Sequence, residues 1–199
     1  WIRTAIPAFI LFLAVLAGRV VFVSLYAESV PFWDQWDGEG ALLLKPWLEG
    51  SFGWNDLFAP HNEHRILFAR LISLALFEAN SGQWDNLVSA YANTAVYAAI
   101  ATSFYVVLRP GLDSRAARAM LFLALVALGW VPYAHENTLV GFQSQFYLMT
   151  GFALAVIVGA ARLEDSPRLG PTLALIALLG CFTMATRLLA AVAGGGVLA

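Results

Sequence analysis

The sequence predicts an all-α protein: a polytopic helical bundle in a membrane, with interfacial juxtamembrane helices in its first outer loop. Three observations predict it. Of 199 residues, 60% are hydrophobic and only 12% are charged, where soluble domains carry about a quarter charged residues. The mean hydropathy is +0.73. The apolar residues also gather into long runs, and about 20 such residues as a helix cross the hydrocarbon core. So few charges cannot cover a water-facing surface, which excludes a cytosolic globular enzyme and a disordered chain alike. The net charge of −2 leaves no basic footprint for nucleic acid. The expected solvent is the lipid bilayer.

The first run covers residues 5–26 and is broken only by Arg19. It is too long, and lacks the small-residue exit, for a cleaved signal peptide. Arg19 belongs in the outer third of this span, where its stem lets the guanidinium snorkel. Residues 27–86 then form a long outer loop. Within it, residues 38–48 read as a short amphipathic helix on the membrane surface, ended by Gly50. Residues 66–77 are apolar but number only about 12, which suits an interfacial helix better than a span.

Further spans are expected at 87–108, 119–134, 147–161 and 172–186, with another begun at 188–199. In the second span, Asn93, Thr94 and Tyr97 are expected to hold helices together. The chain starts at Trp1 and stops inside an apolar run. That predicts a single transmembrane domain, truncated at its C-terminus, from a longer protein. The sole cysteine, Cys181, excludes a disulfide framework.

Arginines orient the spans. The loop 109–118 carries Arg109, Arg115 and Arg118, and the loop 162–171 carries Arg162 and Arg168. With 66–77 as a non-spanning helix, both loops and Arg3 fall on the cytoplasmic side; as a full span it would separate them. Glu28, Asp34, Asp37, Glu39, Glu49, Asp56, Glu63 and Glu136 then gather outside, with His61, His64 and His135.

Two segments of the long loop carry candidate chemistry. Residues 32–37, FWDQWD, set two carboxylates three residues apart among Phe32, Trp33 and Trp36. They suit an aromatic belt with solvated acids, or a helix start capped by Asp34 or Asp37. They equally suit a carboxylate held at the membrane edge, its pKa raised toward that of a general base. Residues 59–65, APHNEHR, put five polar residues directly before an apolar helix. At i,i+3, His61 and His64 share a face if the segment is helical. A divalent metal is the minor reading, because the pattern is not H-E-x-x-H and has no third ligand nearby. The others are a helix start with polar groups, or a cationic pocket in which Arg65 and a histidine receive a phosphate.

The second outer loop, HENTLVGFQSQF at 135–146, sets amides and hydroxyls between two apolar spans. Such groups face protein, water or a ligand. They suit sugar hydroxyls and interhelical hydrogen bonds equally. Arg187, at the outer end of the fifth span, could pair with a loop carboxylate or a phosphate. No phosphate-binding G-x-x-x-x-G-K-[ST], no Rossmann glycine pattern and no G-x-S-x-G occurs, and Lys45 is the only lysine.

Over roughly residues 5–110 the arrangement resembles the GT-C superfamily of integral-membrane glycosyltransferases. Three features carry the likeness: FWDQWD after the first span, LLLKPWLEG at 42–50 ending an interfacial helix, and APHNEHRILFARL at 59–71 leading into a juxtamembrane helix. The segment ENTLVGFQSQF at 136–146 is similar to the second outer loop of bacterial members. Many members have D-E or E-x-D where this chain has D-x-x-D, which leaves the choice between Asp34 and Asp37 open.

The resemblance implies transfer of a sugar from a polyprenyl-phosphate donor to a glycan, lipid or protein acceptor. The site would face outward from a bacterial inner or plasma membrane, with the N-terminus cytoplasmic. Asp34, with Asp37 as competitor, would deprotonate the acceptor hydroxyl. Arg65, with His61 or Arg187, would stabilise the departing phosphate. Glu63, His64, Glu136, Asn137 and Gln143 would orient acceptor or base. Helices 40–48 and 66–77 would frame a groove for the lipid tail, and no cofactor is required. The competing readings are a transporter, whose charges would lie deep in several spans, and a non-catalytic polysaccharide-assembly subunit.

Overall fold

The computed structural model describes residues 2–163 and 166–184. Every regular element among them is helical, and the one strand-like feature is an isolated bridge between His61 and His64. Short 3-10 turns aside, the helices in order are α1 (Ile2–Tyr26), a π-helix π1 (Trp36–Leu44) running into α2 (Lys45–Leu48), α3 (Trp54–Phe58), α4 (Leu67–Ala79) and α5 (Asn86–Leu108). After these come α6 (Arg115–Trp130), α7 (His135–Leu139), α8 (Ser144–Ala160) and α9 (Gly170–Gly180).

Three segments among the described residues are long and apolar enough to cross a membrane: Ala5–Tyr26, Asn86–Gly111 and Gly141–Ala160. They coincide with the first, second and fourth runs of the sequence. The runs at 119–134 and 172–186 differ. There α6 has 16 residues and α9 has 11. At 1.5 Å per residue these rise about 24 Å and about 17 Å, less than a core of about 30 Å. The early end of α6 has a local cause. Val131 is extended, with φ −75° and ψ 132°, because the following Pro132 disfavours the α region for the residue before it. Residues 188–199 and Arg187 lie outside the described residues.

The chain forms two compact units. Unit 1 holds α1, α5, α6 and α7, and unit 2 holds π1, α2, α3, α4, α8 and α9.

In unit 1, Leu11 and Val15 of α1 pack on Ala98, Ala101 and Tyr105 of α5. Small residues let α6 approach α1. A Cβ on Gly18 would sit 2.8 Å from the Trp130 ring, and one on Gly129 would sit 3.1 Å from Val15 Cα. Polar side chains tie the ends. Asn86 Nδ2 donates to the Glu28 and Leu139 carbonyls at 2.8 and 2.9 Å, and Asn93 Nδ2 donates to the Gly141 carbonyl at 2.8 Å. Asn93 therefore bridges elements as expected, whereas the Thr94 hydroxyl bonds its own helix at Tyr91. Arg19 is taken up inside unit 1. It is 6% exposed, with its guanidinium 3.9 Å over the Tyr97 ring. It donates to the Thr138 hydroxyl and, at 3.3 Å, to the Leu128 carbonyl. The end of α6 leaves its last carbonyls without helical partners, and Arg19 uses one of them.

In unit 2, Leu43, Leu44, Leu57 and Phe77 form the core, with Phe52, Leu67, Leu74 and Trp84 against it. Trp47 Nε1 donates to Glu78 Oε1 at 2.7 Å, tying α2 to α4. Gly50, with φ +68°, stops α2 in a conformation that costs glycine little. At 13 residues, α4 rises about 20 Å, short of a span.

Candidate functional site

The carboxylate motif enters π1 through a tight turn. Trp33 has φ +48°, uncommon for a residue with a Cβ. Phe32 N donates to Gln35 Oε1 at 2.9 Å, and Gln35 N donates back to the Phe32 carbonyl at 3.1 Å. Gln35 is fully buried. Neither Asp34 nor Asp37 caps the helix, because the helical turn already includes Asp34 and the cap position falls to Gln35, with no side-chain capping bond. Asp37 is exposed. The Asp34 side chain is about half exposed, at 48%.

His61 and His64 do not share a helix face. They close a two-residue turn, His61 N donating to the His64 carbonyl at 2.8 Å and His64 N to the His61 carbonyl at 3.0 Å. Asn62 takes φ +51°, a region that asparagine tolerates. Spacing of i,i+3 fits a helix face and the two ends of a tight turn equally, and Asn62 selects the turn. His64 Nε2 then lies 3.6 Å from exposed Glu63, while His61 turns inward.

Inside, His61 meets the entry of π1. Its Nε2 lies 3.7 Å from Asp34 Oδ2 and, though buried, has no hydrogen-bond partner. Phe142 stands edge-on to the imidazole at 5.1 Å between centroids. Gly38 makes room for both rings, since a Cβ there would sit 2.7 Å from Phe142 and 3.2 Å from His61 Nδ1. The result is a half-exposed carboxylate backed by a buried imidazole that an aromatic ring and a glycine hold in place.

Next to this pair lies a second carboxylate, which in the sequence stands out only as one of the outer acids. Glu39 is 3% exposed. Gln35 Nε2 and Trp84 Nε1 donate to its Oε2 at 3.0 and 3.3 Å. Burial holds its carboxyl above the usual carboxylate range, against hydrogen bonds from Gln35, Ser73 and Trp84 that pull it down. The available signal was Gly38-Glu39-Gly40. Glycines on both sides of an acid let rings close over it, and a Cβ on Gly40 would sit 2.9 Å from Trp84.

Two arginines organise the other side of the turn. Arg65 is exposed and donates to the Phe58 carbonyl at 2.6 Å. Arg70, 1% exposed, was not singled out from the sequence. Its Nη1 donates to the Asp56 carbonyl at 2.8 Å and to the Ala59 carbonyl, so it holds the end of α3. Burial lowers its pKa from the ordinary arginine value, and the charge of Asp56 raises it. It stays cationic throughout.

Of the remaining expected residues, Gln143 lies in unit 2, and its Oε1 is buried without a partner. Glu136 and Asn137 sit on α7 in unit 1, Glu136 exposed and Asn137 half-buried. No group of three His, Cys, Asp or Glu converges among the described residues. A groove of 470 Å³ runs between π1–α2 and α4, lined by Trp36, Leu44, Leu48, Phe77 and Trp84, with Lys45 and Glu49 also lining it. Trp36 and Trp84 meet edge to face at 5.0 Å. Comparison with protein-family models, with curated proteins and with solved structures finds no match to this chain.

Proposed function

We propose that the protein is a polytopic membrane glycosyltransferase of the GT-C type, transferring a sugar from a polyprenyl-phosphate donor to an acceptor hydroxyl at the outer face of a cell membrane. The observation that carries this reading is the pairing of Asp34 with His61. Asp34 is open enough to receive an acceptor and has a buried imidazole behind it. In the reaction, Asp34 takes the proton of the acceptor hydroxyl. The acceptor oxygen bonds to the anomeric carbon, and the bond from that carbon to the phosphate oxygen breaks. Arg65, beside the same turn, stabilises the charge left on the polyprenyl phosphate. The 3.7 Å contact suits a catalytic pair before substrate arrives, because such contacts tighten in the reacting complex.

The apolar groove between π1–α2 and α4 supports a lipid donor. Its wall of Trp36, Leu44, Leu48, Phe77 and Trp84 fits an isoprenoid tail, and both helices belong to the unit that holds Asp34. A lipid-borne donor also answers the lack of nucleotide outside a membrane. Against the transporter alternative stands Arg19. It is the charged residue inside Ala5–Tyr26, and Thr138, Leu128 and Tyr97 already engage it.

Glycan analysis of cells carrying the intact protein tests the proposal. Asp34→Asn abolishes the product, and Asp37→Asn retains it. Loss with Asp37→Asn alone would move the base to Asp37. Unchanged glycans in both single variants and the double variant would overturn the mechanism.

A further inference from the structure

Unit 1 carries a second concavity, unrelated to the carboxylate site. A groove of 790 Å³ opens beside the start of α1, the end of α5 and the start of α6. Its lining divides by chemistry. Arg109, Arg115 and Arg118 contribute one part, and Pro7, Ile10, Phe122 and Leu123 contribute an apolar wall. Buried Tyr105 backs that wall, with Phe122 edge-on to it at 5.9 Å. Arg118 Nε donates to the Leu112 carbonyl at 2.9 Å, which fixes the root of that guanidinium beside the groove.

We infer that this groove binds an anionic phospholipid, its phosphate on the arginines and an acyl chain along Ile10, Phe122 and Leu123. Two arguments select this occupant. The first is position. Arg109 stands where the apolar segment Asn86–Gly111 ends, and Arg115 and Arg118 lie in the first turn of the helix that follows; a spanning helix of that length ends at headgroup depth. The second is the division of the lining. Three guanidiniums suit phosphate oxygens, which they bind in forked geometry. A free anion would make no use of the adjoining apolar wall, whereas a lipid uses both parts. Basic pockets at the ends of membrane helices are a recurrent means of holding anionic headgroups. The inference does not depend on glycosyl transfer.

The test uses the intact chain in nanodiscs of phosphatidylcholine with or without phosphatidylglycerol, with co-purifying lipid read by native mass spectrometry. Wild type retains phosphatidylglycerol in preference to phosphatidylcholine. Arg115→Gln/Arg118→Gln lowers that preference by about five-fold for each arginine, and Arg115→Lys/Arg118→Lys retains most of it. Should the double glutamine variant lose helicity, the exposed Arg115→Gln alone decides, with the same five-fold loss expected. Inorganic phosphate, added alone, raises the melting temperature less than phosphatidylglycerol does. No lipid preference in the wild type, or a full preference in a folded glutamine variant, would overturn the inference. So would stabilisation by phosphate equal to that by the lipid.

Discussion

His61 Nε2 lies 3.7 Å from Asp34 Oδ2, a contact between the tight turn at His61–His64 and the helical turn that leads into π1. The imidazole is buried, this nitrogen has no hydrogen-bond partner, and Phe142 and Gly38 confine the ring. In the proposed glycosyl transfer, a ring so confined would orient the carboxylate that receives the acceptor. On that proposal, His61 is a positioning residue for Asp34.

That role predicts a split in the kinetic constants. His61→Ala lowers kcat about ten- to hundred-fold, the order of loss when a reacting group is misplaced by about 1 Å, and leaves KM nearly unchanged. His61→Gln, whose amide can offer an N–H near the position of Nε2, recovers part of the loss. Steady-state kinetics on a polyprenyl-phosphate sugar checks this. An alanine variant with wild-type kcat would sink it.

Gly38 predicts a packing defect with a named partner. An alanine methyl would arrive 2.7 Å from the Phe142 ring and 3.2 Å from His61 Nδ1. Replacing glycine inside a helix gains up to about 1 kcal/mol from backbone entropy. Overpacking costs about 1–3 kcal/mol, so it wins, and Gly38→Ala destabilises. The cost falls when Phe142→Leu is added, because the smaller side chain can yield. A double-mutant cycle on thermal stability should find this coupling; strict additivity of the two substitutions is the result that counts against it.

Much of the scaffold was legible in the sequence. The helices α1, α5 and α8 follow long apolar runs, and Gly50 marks a real helix end. The end of α6 was legible too, since Pro132 stops it, but hydropathy alone carried that run past the proline. The site was less legible, for a physical reason. Spacing cannot separate Asp34 from Asp37, because the contact that singles out Asp34 comes from His61 in another segment. The burial of Glu39 needs Trp84 and Ser73, and that of Arg70 needs the carbonyls of residues 56–59. Each depends on which distant backbone closes over the side chain, and the local pattern does not contain that information.

Arg70 predicts a local loosening. Its Nη1 meets the carbonyls at the end of α3, which have no helical partners of their own. Hydrogen bonds from a charged donor contribute about 1.5–3 kcal/mol. Arg70→Met keeps much of the buried volume and removes the donors, so stability falls by about that amount. Amide exchange should accelerate first in residues 54–60, the segment that carries Arg65's contact with Phe58. Unchanged exchange there, in a variant that still folds, would count against the role.

Glu39 predicts how unit 2 responds to pH. Its folded-state pKa stands above the ordinary carboxylate value because of burial. Between the unfolded and folded values, the folded chain keeps a proton that the unfolded chain has released. Stability is then complete below the unfolded value and declines as pH rises through the folded one. Glu39→Gln removes the titration and keeps the shape, so its stability changes less with pH and exceeds that of the wild type on the alkaline side. Glu39→Ala behaves differently. It strands the Gln35 and Trp84 donors and costs about 1–3 kcal/mol at every pH. Melting temperatures of the three proteins, from about pH 4 to 8, separate these cases. Parallel curves for wild type and Glu39→Gln would mean that the buried carboxylate does not change its protonation on folding.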